Sequence, residues 1–331
     1  MKTIAFFNNK GGVGKTSLVY HLAWMFADLG LKVIAADLDP QANLTAMFLD
    51  EERVEELWTN GDHAQTVFGA IQPLDAGLGD VREPHLEQIT ENLWLVPGDL
   101  VLSRFEDELS SQWPDCLDGR ERAFRVISSF YRLLQMASVG QHADVVLVDV
   151  GPNLGAINRA AIIAAKYVVV PLAPDLFSLQ GMKNLGPTLR KWREGWKERL
   201  NKNPEPTLEL PGLGMEPIGY IIQQHSIRLD RPVQAYSRWM DKIPSLYRTA
   251  ILNQGISVKV PKVDTDQFCL ATLKHYRSLM PMAMEARKPM FHLKPADGAI
   301  GAHAKAVQDC RMDFQDLAES IAALCKLALP A

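Results

Sequence analysis

Lys10-Gly11-Gly12-Val13-Gly14-Lys15-Thr16-Ser17 decides the reading of this 331-residue chain. The stretch follows Thr3-Ile4-Ala5-Phe6-Phe7, an apolar run that reads as a buried strand, and precedes 18–27, which reads as a helix. A strand, a glycine-rich turn and a helix N-terminus together make an anion site. Backbone N–H groups converge on the ligand, and the helix dipole adds partial positive charge. The glycines let the chain wrap a phosphate without Cβ clashes. Lys15 can then reach the β- and γ-phosphates, and the Thr16 hydroxyl can ligate Mg²⁺. Gly11, Gly12, Val13, Gly14 and Ser17 complete the cradle. The bland alternative is a glycine-rich turn with incidental lysines.

Working outward, the helix should end near Leu29-Gly30, where Gly30 suits a left-handed cap. Leu31-Lys32-Val33-Ile34-Ala35-Ala36 reads as a second, parallel strand. At its carboxyl end stands Asp37-Leu38-Asp39-Pro40-Gln41-Ala42-Asn43-Leu44-Thr45. Ligands of open α/β sheets sit outside the carboxyl ends of strands, so two acids placed there are candidates for metal or water handling. A solvated turn with a helix-capping Asp is the alternative. Further on, Ala143-Asp144-Val145-Val146-Leu147-Val148-Asp149 reads as a doubly buried strand ending in an acid. Asp149 would hold Mg²⁺, with water between, because Mg²⁺ keeps much of its hydration shell.

These three motifs, in this order, resemble the ParA/MinD family of deviant Walker A ATPases. An ordinary phosphate loop has glycine where Asn9 stands, and here a second lysine, Lys10, opens the loop. The resemblance implies that Lys10 reaches across a nucleotide-sandwich homodimer to the partner subunit's phosphates. It implies that Asp39 orients the attacking water and that Asp37 supports the metal shell. The stretch at 149–154 resembles the family's D-x-P-P-S-L, with Gly151 in place of the first proline and Asn153 in place of the serine. Pro171-Leu172-Ala173-Pro174-Asp175-Leu176-Phe177-Ser178-Leu179-Gln180-Gly181 resembles P-x-x-P-E-x-F-x-L-x-G, with Asp175 shortened from Glu, a segment that in the family lies at the dimer face. Pro217-Ile218-Gly219-Tyr220-Ile221-Ile222-Gln223-Gln224-His225 resembles the strand whose end approaches the base. Val258-Lys259-Val260-Pro261-Lys262 resembles the family's final strand and turn. Gln223 and Pro261 are the base-contact candidates on that likeness.

Hydrophobic residues make up 47% of the chain and charged ones 22%, ample for a core. The net charge of -4 supplies no global field for nucleic acid, so any such contact needs a local patch. Four cysteines, Cys116, Cys269, Cys310 and Cys325, lack C-x-x-C spacing, which favours a reduced, cytoplasmic chain and offers no paired set for an iron–sulfur cluster. No apolar run is long enough to span a bilayer. The first strand starts almost at Met1, leaving no space for a signal peptide or a leading DNA-reading domain.

Elsewhere the sequence predicts a helix at 51–58, a loop at 112–119 and one helix over 120–137. It also predicts helices at 156–165, 183–202, 233–252 and 304–329, and strands at 93–98 and 167–172. The 183–202 helix carries Arg190, Lys191, Arg193, Lys197, Arg199 and Lys202, with Trp192 and Trp196 at i, i+4 on one face. It reads either as a phosphate-backbone patch or as a solvated face over two core tryptophans. Met280, Met282 and Met284 read as local core or as an adaptable partner surface. The last helix carries Asp309, Asp313, Asp316 and Glu319 and lacks the basic face of a membrane-surface helix.

The expectation is one α/β domain over 1–331, a doubly wound, mainly parallel sheet with helices on both faces and insertions near 50–91, 201–216 and 264–292. Its ligands would be ATP and Mg²⁺, and its ATP state a homodimer. The resemblance implies a slow hydrolytic switch that positions plasmid, chromosome or other cargo on DNA, bound without sequence preference, together with a small DNA-binding partner protein. The competing reading is an ATP-switched module that recruits a protein partner without DNA.

Overall fold

The computed structural model describes residues 1–59, 61, 63–223, 238–255, 260–276 and 278–330. Its centre is an eight-stranded sheet in the order β3-β4-β2-β5-β1-β6-β7-β8. The strands are β1 Thr3–Phe6, β2 Val33–Asp37, β3 Glu87–Thr90, β4 Leu93–Val96, β5 Val145–Asp149, β6 Tyr167–Leu172, β7 Glu216–Gln223 and β8 Cys269–Leu273. Every neighbouring pair is parallel except β3 with β4.

The central strands read as continuous apolar runs because both faces are covered. Successive residues enter opposite cores. Ala5, Ile34, Val146, Val148, Val168 and Val170 belong to one cluster. Ile4, Phe6, Val33, Ala35, Val145, Leu147 and Val169 belong to the other. The first core is closed by α4 Val67–Asp75, α5 Phe105–Asp115, α6 Glu121–Ile127, α7 Ser129–Gln141, α8 Ala156–Ala164 and α9 Leu176–Leu200. The second is closed by α1 Lys15–Asp28, α2 Asn43–Phe48, α3 Glu51–Thr59 and the C-terminal helix Ala302–Cys325. Chain order reverses around β1, which has β5 on one side and β6 on the other. The carboxyl end of β1 therefore opens into the crevice where α/β sheets bind ligands.

Several expected boundaries move. The 112–119 stretch is not a loop. α5 runs through Pro114 to Asp115, a 3₁₀ turn follows at Cys116–Asp118, and Gly119 closes it at φ 70°. A proline in the last turn removes few helical bonds, so it does not stop the helix there. The expected single helix over 120–137 is two, α6 and α7. The break is at Ser128, whose hydroxyl donates to Phe124 O at 2.7 Å. α9 begins seven residues before the predicted 183, because Asp175 caps it by accepting from Ser178 N at 2.8 Å.

The final strand is also displaced. Residues 258 and 259 lie outside the described residues, and Val260-Pro261-Lys262 is not a strand but leads into a 3₁₀ turn at Val263–Thr265. The eighth strand is Cys269–Leu273, paired with β7 through Tyr220↔Cys269 and Gln223↔Leu273. Part of 264–292, expected as an insertion, thus supplies the sheet edge. Gln224, His225 and the first part of the helix expected at 233–252 lie outside the described residues. Its remainder includes a short helix at Ile243–Leu246 and a π turn at Tyr247–Ile251. Among the described residues no helix is long and apolar enough to cross a membrane.

α9 packs so closely on this π turn that a Cβ on Gly186 would lie 1.9 Å from the Ala250 carbonyl oxygen. Arg190 donates to the same oxygen at 2.6 Å. Gly186→Ala should therefore force the two elements apart and cost about 2 kcal/mol. Urea denaturation would read this as a lower midpoint with an unchanged slope.

Candidate nucleotide site

The glycine-rich turn leaves β1 and is fixed from behind. Asn8, fully buried, donates to Pro171 O at 2.7 Å and accepts from Lys10 N at 3.0 Å. Gly12 and Gly14 sit at φ 70° and 73°, a left-handed conformation that side chains resist. Gly14 is the N-cap of α1, so the first-turn N–H groups open into the turn. Gly11 and Gly12 are exposed, Val13 is buried in the core, and Thr16 and Ser17 are half-buried.

Lys15 is only 7% exposed. Burial pulls its ammonium below the usual lysine range, while the charges of Asp149 and Asp39 act the other way. Its Nζ lies 3.4 Å from Lys10 O, so the lysine crosses its own loop.

Facing it are three carboxylates. Asp37 and Asp149 end neighbouring parallel strands and are register partners. Both are fully buried. Asp37 is occupied: Oδ2 accepts from Thr45 N and Thr45 Oγ1, each at 2.8 Å, and Oδ1 accepts from Asp39 N at 3.3 Å. Burial still raises it to about 7, against the Thr45 bonds. These bonds hold the turn after β2 and the start of α2. Thr45 Oγ1 also accepts from Gly98 N at 2.7 Å, which ties this turn to β4.

Asp149 is different. Neither of its buried oxygens makes a hydrogen bond of normal geometry. Burial and the Asp37 charge push its carboxyl well above the usual range, and the nearby Thr16 hydroxyl partly opposes them. A buried carboxylate short of well-formed hydrogen bonds among the described residues, beside a hydroxyl and a phosphate loop, fits a cation-binding role. Among the described residues no cluster of three His, Cys, Asp or Glu could enclose a metal alone. Phosphate and water would have to complete the shell, as is usual for Mg²⁺.

Asp39 is 7% exposed and accepts from Gln41 N at 3.0 Å. A Cβ on Gly151 would lie 3.2 Å from its Oδ1, so the glycine at that position leaves this carboxylate its space. Lys10 turns away from its own loop. Its Nζ pairs with Asp175 Oδ2 at 2.5 Å and lies 3.5 Å from Ser178 Oγ.

A cavity of about 260 Å³ opens beside the turn. Gly12, Gly14, Ser17 and Gln223 line its polar side, and Leu18, Leu273, Met280, Met290 and Phe314 its apolar side. Gln223 lies flat on the loop, with Nε2 donating to Gly14 O at 3.1 Å. The other wall is Lys274-His275-Tyr276, directly after β8. Pro261 is not among the lining residues. With the last strand displaced to 269–273, 274–276 line the cavity instead. Sequence reasoning therefore missed 274–276, and also Met280 and Met290. The methionine cluster was a visible signal, but one without a location.

Residues 1–202 match the family model of an AAA domain. The chain is 34% identical over 194 residues to Protein IncC of Escherichia coli, covering 59% of this chain and 47% of that protein. It thus spans about half the length of that relative. It is 27% identical over 200 residues to the chromosome-partitioning ATPase Soj of Treponema pallidum (strain Nichols), covering 60% of this chain and 68% of that protein. A crystallised protein of Corynebacterium diphtheriae superposes with a TM-score of 0.70 at 25% identity, over 98% of this chain and 99% of that one. With the phosphate turn, the two strand-end acids and the β1 crevice in place, the chain belongs to the ParA/MinD family of P-loop ATPases.

Proposed function

We propose that this chain hydrolyses ATP with Mg²⁺ and uses the ATP state to close a homodimer, as a switch for partitioning or positioning cargo on DNA. The observation that carries the reading is the environment of Lys10. Its ammonium, on a side chain 26% exposed, is neutralised by Asp175 rather than by its own loop. Phe177 beside it is 72% exposed, and the next residue toward Asp175, Leu176, is 55% exposed. Phe177 lies under the ammonium at 6.0 Å. Exposed apolar side chains next to a lysine held at the mouth of a phosphate site suit a second copy of the same surface.

The roles follow from position. Loop N–H groups and Lys15 neutralise phosphate charge. Lys10 would leave Asp175 for the partner subunit's phosphates, a more highly charged counterion. Thr16 and Asp149 would hold Mg²⁺, which would offset phosphate charge when bound. Asp39 accepts a hydrogen bond from the attacking water and orients it, and Asp37 keeps Asp39 and Thr45 in place. Gln223 and 274–276 would flank the base. Pro261 stays a candidate on resemblance alone.

For DNA, the basic face of α9 is smaller than its sequence suggests. Arg190 is spent on Ala250 O and Ile251 O. Arg199 is buried, donating to Trp113 O at 2.7 Å. Trp192 and Trp196 are core residues. Lys191, Arg193, Lys197 and Lys202 remain exposed, interleaved with Glu194 and Glu198. Those acids favour the second reading, in which the closed dimer recruits a protein partner without DNA. A small DNA-binding partner protein is compatible with either.

Light scattering tests the switch. Wild type with ATP and Mg²⁺ should pass transiently through a dimer, Asp39→Ala should remain a dimer, and Lys15→Ala should stay monomeric with turnover lost. Asp39→Ala remaining monomeric with ATP would remove the proposal.

DNA binding should require ATP and show no sequence preference. If Lys191, Arg193, Lys197 and Lys202 of each protomer all contact phosphate, log affinity against log salt should slope at about −7. Lys191→Glu with Lys197→Glu should flatten it. Absence of binding at low salt would leave the protein-recruiting reading.

A further inference from the structure

His21 is fully buried on α1, one turn after the phosphate-binding residues. Its imidazole touches Ser17 on its own helix and Met290, 269 positions further along the chain than the histidine. Nδ1 lies 2.7 Å from Ser17 O, and Met290 N donates to Nε2 at 3.2 Å. Because the Met290 N–H is a donor, Nε2 must carry the lone pair and Nδ1 the proton. One neutral tautomer satisfies both contacts. Burial agrees, pushing the imidazole down to about 4. The ring is clamped by Phe314, stacked at 5.0 Å, and by Phe291 at 5.9 Å.

Both ends of this bridge reach the same cavity. Ser17, next to Thr16, lines its loop side, and Met290 lines its apolar side. Met290 starts a 3₁₀ turn, Met290–His292, that packs on the C-terminal helix and is tied to the phosphate turn through this imidazole.

We infer that His21 is a positioning residue: it sets the distance between the phosphate cradle and the wall that packs against the nucleoside. This rests on the reading that the cavity takes a nucleotide. The bridge should matter for ligands that contact both sides and not for those that contact the cradle alone.

Two full-length variants separate the cases. In His21→Asn the shorter amide keeps a donor for Ser17 O but stops short of Met290. In His21→Gln the longer amide brings its carbonyl to Met290 N. Affinities are measured for ADP and for inorganic tripolyphosphate, which has phosphates and no nucleoside. His21→Asn should weaken ADP about tenfold, the loss expected for one buried hydrogen bond, and leave tripolyphosphate within about twofold. His21→Gln should recover most of the ADP affinity. Equal ADP affinities for the two variants, or a parallel loss of tripolyphosphate, would overturn the inference. Should His21→Asn fail to fold, His21→Gln decides alone, and a tenfold ADP loss there overturns it. Wild type binding tripolyphosphate but not ADP would overturn the nucleotide reading instead.

Discussion

Two carboxylates face each other across neighbouring strand ends, and the rest of the site answers that conflict. Asp37 and Asp149 are register partners on β2 and β5, both without solvent. Like charges directly opposite in a sheet repel, and an uncompensated buried charge costs about 3–5 kcal/mol. Asp37 is relieved by Thr45, through one backbone and one hydroxyl donor. Asp149 has less relief: among the described residues neither oxygen makes a hydrogen bond of normal geometry, and only the Thr16 hydroxyl and the Lys15 charge act in its favour. The cation that acts on it is Lys15, itself held below the usual lysine range by burial. The charged form of Asp149 is thus disfavoured until a positive ion arrives to share its site.

The fold makes this possible by burying both faces of the sheet. Only a strand covered on each side can carry its last residue into a dry crevice. The apolar runs of β1, β2 and β5 divide evenly between two cores, so their ends are held at fixed depth. Phe6 of β1 is in register with Asp149, which puts the phosphate turn at the level of the acid. Asn8 then anchors the turn to β6, so β5 and β6 fix it from both sides.

Much of this was legible in the sequence because it is local. A glycine turn between a strand and a helix, and acids at strand ends, are short patterns with one good structural solution. What was not legible depends on distant pieces. Cys269-Leu270-Ala271-Thr272-Leu273 is no more strand-like than 258–262, and only pairing with β7 selects it. β3 is Glu87-Gln88-Ile89-Thr90, too polar to stand out, and it survives as an antiparallel edge. Arg199 reads as a surface cation in a basic helix, yet its guanidinium lies 3.8 Å over Trp113, a residue 86 positions away. His21 stands unremarked in the helix expected at 18–27, and its bridging contact appears only once Met290 is folded beside it.

The turn after β5 has a mechanical consequence. Asn158, buried in the first helical turn of α8, shares its amide hydrogens among Gly151 O, Asn153 O and Asn153 Oδ1, at 2.8, 2.7 and 3.0 Å. Glu106 of α5 seizes the same helix end, accepting from Ala156 N and Ile157 N at 2.5 and 2.8 Å. The segment behind Asp149 is therefore riveted to α8, and α8 to α5. A shift of that segment by a fraction of an ångström cannot be absorbed locally and must drag two helices, turning a small event at one acid into motion across a whole flank of the molecule.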